Sequence, residues 1–269
     1  MSIRSISAKT VLQKSGISGV DAVVNPYVGC VHACAYCYAR FMKRFTGHDE
    51  PWGTFLDAKV NAAQVLARQL DGKREPFRGT VFFSSVTDSY QPPESRYRLT
   101  RQCLEVLLER QIPVSILTKS DLVLRDLDLL QRFPSATVGL SFSTLDDGLA
   151  GFLEPLAAPP SQRIHALRTL RENGIRTWAF LSPFLPMVSD LDAMLEALDG
   201  AVDEIGVESI NMIGGNWTGV EKVLKKHRPE LLESCRRLSR DNAYWLGLET
   251  RTEQLVKQYR TDFMGFFQH

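Results

Sequence analysis

Six short apolar runs, separated by segments with helical spacing, constrain the fold more than any other feature of the sequence. The candidate strands are Val23–Tyr27, Thr80–Val86, Val114–Thr118, Thr137–Phe142, Ile175–Leu181 and Ile205–Ile210. Several are almost continuously apolar, which is typical of strands buried on both faces of a parallel sheet. The alternation predicts an α/β fold with right-handed crossovers. Since a closed barrel needs eight strands, we expect a partial (β/α)6 barrel of parallel strands, with a doubly wound sheet as the alternative.

The domain organisation follows from the same pattern. The chain has 269 residues, of which 44% are hydrophobic, so it can bury one large core without staples. No linker or internal repeat interrupts the alternation. We therefore predict a single domain over residues 1–269, with a core of about 20–212 and a helical extension over 213–269. Within the core, Asp57 is expected to cap a helix that runs to about Leu70.

The charge and hydropathy of the chain limit the partners and the compartment that we expect for it. The formal net charge is +1, so nothing draws the whole molecule to nucleic acid or to an anionic membrane. Residues 222–240 are rich in lysine and arginine but include glutamates, and they are interpreted as a solvated helix face, with a nucleic-acid patch as the alternative. No run of eighteen apolar residues and no signal-peptide core is present, so a cytoplasmic protein without a membrane span is expected.

Three of the five cysteines, Cys30, Cys34 and Cys37, lie within eight residues in the spacing C-x3-C-x2-C. A disulfide framework would space its cysteines along the chain, so the cluster indicates a metal site in a reducing compartment. Thiolates suit iron–sulfur clusters or zinc. Three of them can hold three irons of a 4Fe–4S cluster and leave the fourth open. A zinc-stabilised binding module is the alternative, with His32 or His48 as the fourth ligand.

The string around these cysteines, Asn25-Pro-Tyr-Val-Gly-Cys-Val-His-Ala-Cys-Ala-Tyr-Cys-Tyr-Ala, resembles the signature of the radical SAM superfamily, and in particular its spore photoproduct lyase-like branch. Residues 40–53 are similar to members called radical SAM mobile pair protein B, which occur beside a second radical SAM protein. The resemblance covers about residues 23–210. It implies that a 4Fe–4S cluster on the three cysteines reductively cleaves S-adenosylmethionine (SAM) to a 5′-deoxyadenosyl radical, which abstracts hydrogen from an unidentified substrate.

The same resemblance implies partners. An external one-electron reductant of the flavodoxin or ferredoxin type is expected, and a second radical SAM protein is a candidate partner. A non-catalytic role within such a two-protein system is one alternative to enzyme activity.

The resemblance also assigns SAM-contacting roles. The adenine is expected near Tyr36 and Leu181, the methionine ammonium at Thr87 and Asp88, the methionine carboxylate at Lys119, and the methionine or ribose at Ser141 and Ser143. The segment from Ser84 to Asp88 departs from the Gly-Gly-Glu-like element of the wider superfamily. Simpler interpretations stay open: Thr87 and Asp88 as a turn and cap, Lys119 as a solvated loop residue, and Leu181 as a core residue.

Two further positions concern the reaction. Tyr38 matches a tyrosine that takes part in hydrogen transfer in spore photoproduct lyases and is the candidate catalytic residue, with packing over the cluster loop as the alternative. Those lyases also carry a hydrogen-donating cysteine, and Ser85 stands at that position. The O–H bond of serine is too strong to replace a thiol. A nucleic-acid photoproduct lyase is therefore an alternative function, not the leading one.

Overall fold

The computed structural model describes residues 1–17, 19–213 and 215–269. Within these residues the strands are β1 (Ser2–Ile6), β2 (Leu12–Lys14), β3 (Ala22–Val24), β4 (Tyr27–Val28), β5 (Phe55–Lys59), β6 (Val81–Phe83), β7 (Val114–Thr118), β8 (Ala136–Phe142), β9 (Arg176–Phe184), β10 (Glu204–Ser209) and β11 (Asp262–Phe267). The main sheet has the order β11-β10-β9-β8-β7-β6-β3-β2, and β1, β5 and β4 form a small second sheet.

Helices connect and cover these strands. They are α1 (Ala62–Asp71), α2 (Glu94–Tyr97), α3 (Leu99–Glu109), α4 (Leu127–Leu130), α5 (Asp147–Leu153), α6 (Pro160–Glu172), α7 (Leu191–Leu198), α8 (Asn216–His227), α9 (Pro229–Leu238) and α10 (Asn242–Val256), with 3-10 turns at Tyr38–Phe45, Asp121–Asp126 and Lys257–Tyr259. Aspartate side chains accept first-turn amide hydrogen bonds at the starts of α5, α7 and α10, which satisfies donors that a helix leaves free. No helix among the described residues is long and apolar enough to cross a membrane.

The predicted partial (β/α)6 barrel is confirmed. Its six strands are β3, β6, β7, β8, β9 and β10, and each overlaps one of the six apolar runs. All neighbouring pairs among them are parallel. Their spatial order follows the chain without reversal, whereas a doubly wound sheet reverses its order at a switch point. The alternative fold is therefore set aside.

The sheet has two differently filled faces. On the inner face Val23, Phe82 and Trp178 form an apolar cluster. Trp178 lies directly against the backbone of β8, since a Cβ at Gly139 would overlap its indole ring. The outer face packs against the helices through the main core. The apolar cluster fills the deep part of the inner face. The polar residues of this face lie at the carboxyl ends of the strands.

Two regions differ from the sequence-based expectations. Asp57 lies in β5, where it pairs with Arg4 of β1 and Val28 of β4, and the following helix begins only at Ala62. The predicted cap at Asp57 is therefore wrong, because the apolar stretch from Phe55 is buried as a strand. Residues 213–269 contribute α8, α9 and α10, but also β11, which extends the main sheet beside β10.

Candidate active site

The cysteine loop follows β4 and ends at the 3-10 turn Tyr38–Phe45. Cys30 and Cys34 are each 9% exposed and Cys37 is half-buried. The loop turns sharply at Gly29, whose φ is +89°, and a Cβ there would come within 2.6 Å of the Phe55 carbonyl oxygen. The backbone conformation and the close approach both require glycine at this position.

Burial dominates the acid–base behaviour of the three thiols. Burial raises the pKa of Cys30, and the nearby Asp88 and Cys34 add to the effect. Burial likewise raises the pKa of Cys34 and of Cys37. Buried thiolates need a compensating positive charge, which bound metal ions supply.

The segment after β6 anchors the start of the cysteine loop. The Thr87 hydroxyl donates to the Gly29 carbonyl, and the Gln91 amide donates to the Thr87 hydroxyl at 3.0 Å. Gln91 also accepts from the Val31 backbone N–H at 2.8 Å. These bonds bracket Cys30. Gln91 was not singled out from the sequence.

The far side of the loop is held by two helices. The Ala35 N–H donates to the Leu153 carbonyl at 2.7 Å, and the Leu156 N–H lies 3.5 Å from the His32 carbonyl oxygen. Gly219 of α8 packs so closely that a Cβ there would overlap the Ala35 carbonyl oxygen. The backbone of the loop is thus held on both sides, by side chains on one side and by backbone contacts on the other.

Asp88 is committed to bonds inside the protein. Its Oδ1 accepts from the Tyr90 N–H at 2.8 Å and the Thr118 hydroxyl at 2.7 Å. Its Oδ2 accepts from the Lys119 N–H at 2.9 Å, and Nδ1 of His32 lies 3.5 Å away. This arrangement favours the turn-and-cap interpretation, because both oxygens are engaged with the protein.

Lys119 faces the cysteine loop from the carboxyl end of β7. Its ammonium donates to the Ser141 hydroxyl at 2.6 Å and lies 5.6 Å from the centre of the Tyr36 ring. The Ser141 hydroxyl in turn donates to the Ser182 carbonyl at 3.0 Å. Among the described residues no carboxylate lies within salt-bridge distance of this ammonium. Lys119 therefore retains capacity for an anion, and it is not simply a solvated loop residue.

Further polar residues lie at the carboxyl ends of β9 and β10, on the inner face of the barrel, which we call the lumen. The Ser182 hydroxyl donates to Glu208, whose other carboxylate oxygen lies 3.0 Å from Nε2 of His269. Strand alternation places Ser182 on the same face as Trp178 and Phe180. Glu208 is thus an acidic group in the polar layer of the lumen. Sequence reasoning did not single it out, although a glutamate at the end of the last barrel strand was the available signal.

A buried ion pair lies beneath Tyr36. Glu154 accepts hydrogen bonds from the Tyr36 hydroxyl and from Arg163, and from the Ser143 hydroxyl at 2.9 Å. Burial alone would raise the pKa of Glu154, but the positive charges of Arg163 and Lys119 outweigh it and lower that pKa to about 2. Glu154 is therefore ionised at neutral pH. Neither Glu154 nor Arg163 was foreseen from the sequence.

The two remaining predicted site residues lie in different settings. Tyr38 is 54% exposed, and its hydroxyl donates to the Ser85 carbonyl at the rim of the lumen. Leu181 is fully buried in the main core. It alternates with the lumen residues Phe180 and Ser182 and so points toward the helices. The structure thus favours the core interpretation for Leu181.

The cysteine loop fits the cluster that its spacing implies. Three soft thiol ligands lie on one largely buried loop, and Nε2 of His32, buried within that loop, has no hydrogen-bond partner among the described residues. In the described part of the chain, no three His, Cys, Asp or Glu side chains are grouped to hold a single metal ion. A cubane does not need such a grouping, because each thiolate binds a different iron.

Comparison with known proteins identifies the class to which this fold and site belong. The family model described as the radical SAM superfamily matches residues 24–198, and the chain belongs to that superfamily. It is a radical SAM enzyme, and its cofactors are a 4Fe–4S cluster and SAM. These cofactors were predicted over zinc, and that prediction is confirmed.

Individual relatives and solved structures show which proteins the chain resembles. An uncharacterized protein of Methanocaldococcus jannaschii is 39% identical over 190 residues, which is 71% of this chain and 70% of that protein. The radical SAM Nalpha-GlyT isomerase of Pseudomonas phage M6 is 27% identical over 227 residues, which is 82% of this chain and 46% of that protein. The solved structure of spore photoproduct lyase complexed with dinucleoside spore photoproduct has a TM-score of 0.72 and 13% identity, and the match covers 98% of this chain and 82% of that one.

Proposed function

We propose that this enzyme binds SAM between the cysteine loop and the lumen, and abstracts a hydrogen atom from a substrate held over the carboxyl ends of β7 to β10. Cys30, Cys34 and Cys37 would hold the cluster. The cluster and SAM together supply the chemistry, a reductive C–S cleavage that yields a 5′-deoxyadenosyl radical. The observation that carries the proposal is Lys119, a half-buried cation that faces this loop and has no carboxylate within salt-bridge distance among the described residues.

The contacts around Lys119 suggest how the methionine end is bound. Its ammonium offers three hydrogens, of which the Ser141 hydroxyl takes one. The remaining two are suited to the methionine carboxylate. Asp88 accepts from the Lys119 backbone N–H and would act on SAM by fixing this lysine. Thr87 would also act indirectly, because its hydrogen bond to the Gly29 carbonyl fixes the start of the cysteine loop.

Replacing Lys119 with methionine tests this assignment. Methionine preserves most of the side-chain volume but removes the charge, so SAM should bind roughly ten- to a hundredfold more weakly, as expected for a lost charged hydrogen bond. Equilibrium dialysis with reconstituted protein measures the Kd, and iron content should stay at the wild-type level. Lys73→Met is the control, because Lys73 makes a comparable contact, 5.5 Å from the centre of the Phe77 ring, outside the site. An unchanged Kd in Lys119→Met would show that the pocket is misplaced.

A photoproduct lyase is the second candidate function, and the fold likeness to spore photoproduct lyase favours it. The lumen chemistry opposes it. The Ser85 hydroxyl accepts from the Asn25 amide at 2.8 Å and offers no weak S–H bond. The two other cysteines, Cys103 and Cys235, are fully buried on α3 and α9. The thiols of the described chain outside the cluster loop are thus committed to helix packing.

We therefore expect no repair of spore photoproduct. The reduced enzyme should leave dinucleoside spore photoproduct unchanged even when SAM is supplied in an excess that allows many turnovers. Mass spectrometry would detect any thymine dinucleotide that forms. Spore photoproduct lyase under the same conditions is the positive control. Multiple-turnover repair would restore the lyase assignment.

An isomerisation fits the same lumen better. The phage relative is named an isomerase, and an isomerase can return the abstracted hydrogen atom from 5′-deoxyadenosine to its product. Such a reaction needs no separate thiol donor, in agreement with Ser85. We also propose two protein partners: an external reductant of the flavodoxin or ferredoxin type, which would supply the electron, and a second radical SAM protein.

A further inference from the structure

We propose that the buried ion pair of Glu154 and Arg163 positions Tyr36, and through it the cysteine loop, for SAM binding. This inference rests on the proposed SAM site. Glu154 follows α5 and is 2% exposed, whereas Arg163 lies on α6 and is 1% exposed. Two charges removed from water at this depth carry a desolvation penalty that their attraction does not reliably recover. The pair is therefore better explained by the geometry that it imposes than by stability alone.

Glu154 and Arg163 make their hydrogen bonds to other groups of the protein. One carboxylate oxygen of Glu154 accepts from the Tyr36 and Ser143 hydroxyls, and the other accepts from Arg163. Arg163 also donates to the Ala158 and Ser141 carbonyls, both at 2.7 Å. Because these groups are engaged with the chain itself, the pair acts as a positioning device and not as a ligand contact.

The geometry carries the constraint from the pair to the site. Tyr36 stands between Cys34 and Cys37, and its hydroxyl is fixed by Glu154. The neighbouring Ala35 N–H is fixed by the Leu153 carbonyl, one residue before Glu154. A single segment at the end of α5 therefore holds two consecutive residues of the cysteine loop.

The same constraint reaches the proposed anion-binding lysine. One face of the Tyr36 ring is turned to the Lys119 ammonium. Arg163 binds the carbonyl of Ser141, whose hydroxyl accepts from that ammonium. The ion pair thus fixes both the aromatic ring and the hydroxyl that orient Lys119. Loosening the pair should weaken SAM binding before it affects cluster ligation, since the cysteine backbone keeps its other anchors.

The protein contains a second network of the same composition that serves as a matched control. Tyr27 donates to the buried Glu94, and Arg125 donates to Glu94 at 2.8 Å. Tyr27 packs in a small cluster with Leu56, Leu99 and Val31, the last of which follows Cys30 in the cysteine loop. This Tyr–Glu–Arg network should contribute to stability without a specific effect on SAM.

The experiment compares Tyr36→Phe, Glu154→Gln and the double variant with Tyr27→Phe and Glu94→Gln. Iron and sulfide content, thermal stability, the Kd for SAM and the electron paramagnetic resonance spectrum of the reduced cluster with and without SAM are measured on reconstituted protein. We expect Tyr36→Phe and Glu154→Gln each to keep the cluster and bind SAM about tenfold more weakly, as for loss of one hydrogen bond to a charged group. The losses in the double variant should be less than additive, because Tyr36→Phe removes the same hydrogen bond that Glu154→Gln weakens by removing the charge of its acceptor.

The control pair separates positioning from general destabilisation. Tyr27→Phe and Glu94→Gln should lower thermal stability but leave the Kd within about twofold of wild type, since the hydrogen bonds that they remove or weaken join neither side chain to a residue proposed to contact SAM. An unchanged Kd in both Tyr36→Phe and Glu154→Gln would overturn the inference, as would fully additive losses or equal losses in the control pair. Tyr36→Phe alone decides the matter if Glu154→Gln does not fold. Failure of the wild-type protein to bind SAM would instead refute the proposed function.

Discussion

Replacing Cys34 with alanine should give a folded protein that assembles no 4Fe–4S cluster. Cys34 is one of three thiols on a loop that is otherwise held by backbone hydrogen bonds, so its loss removes a ligand without removing the anchors. No substitute is at hand in the described chain, because Cys103 and Cys235 are buried on α3 and α9. Iron and acid-labile sulfide per chain after anaerobic reconstitution measure the effect.

Cys103→Ala is the matched control for this loss. Cys103 is fully buried and packs on the apolar face of α3 with Leu104 and Leu107. Its replacement should cost about 1 kcal/mol of stability as a small cavity and leave the cluster intact. Full iron and sulfide in Cys34→Ala would contradict the assignment of this cysteine as a ligand.

Gly219→Ala is expected to destabilise the protein and impair cluster assembly, although it improves helix propensity. Alanine in place of glycine inside a helix normally gains up to about 1 kcal/mol. At Gly219, however, a Cβ would overlap the Ala35 carbonyl oxygen, so α8 or the cysteine loop must move. Overpacking of this kind costs roughly 1–3 kcal/mol, and here the displaced backbone lies between two of the cluster ligands.

Gly247→Ala tests the same substitution without the clash. Gly247 is an exposed residue of α10, and a Cβ there meets nothing within 4 Å. This variant should be as stable as wild type or slightly more so, with normal iron content. Thermal melts and iron assays of both variants provide the comparison. A Gly219→Ala protein with wild-type stability and iron content would show that α8 does not press on the loop.

The barrel was predictable because its signals are local. Each of the six parallel strands is a short apolar run, and burial on both faces of the sheet is what produces such runs. Asp57 was misjudged because a polar residue before a helical pattern resembles a cap, whereas here β1 and β4 recruit it into a strand. The β10–β11 pairing joins residues far apart in the chain, and no local pattern reports it.

The site was predictable only in part, for a similar reason. The cysteine spacing and the lysine after β7 are visible in a single stretch of sequence. The partnership of Tyr36 with Glu154 spans 118 positions, and the role of Gln91 depends on a loop 60 positions away. Polar residues whose function comes from such contacts look like ordinary surface residues until the fold brings them together.

The most direct test of this account is to incubate anaerobically reconstituted protein with a strong reductant and SAM, and to quantify 5′-deoxyadenosine and methionine. Cleavage requires only the reduced cluster and bound SAM, so slow release of both products in equal amounts is expected from the wild-type protein without substrate, and none from Cys34→Ala. A wild-type protein that holds a full cluster and binds SAM, yet forms neither product above the Cys34→Ala background, would contradict the account.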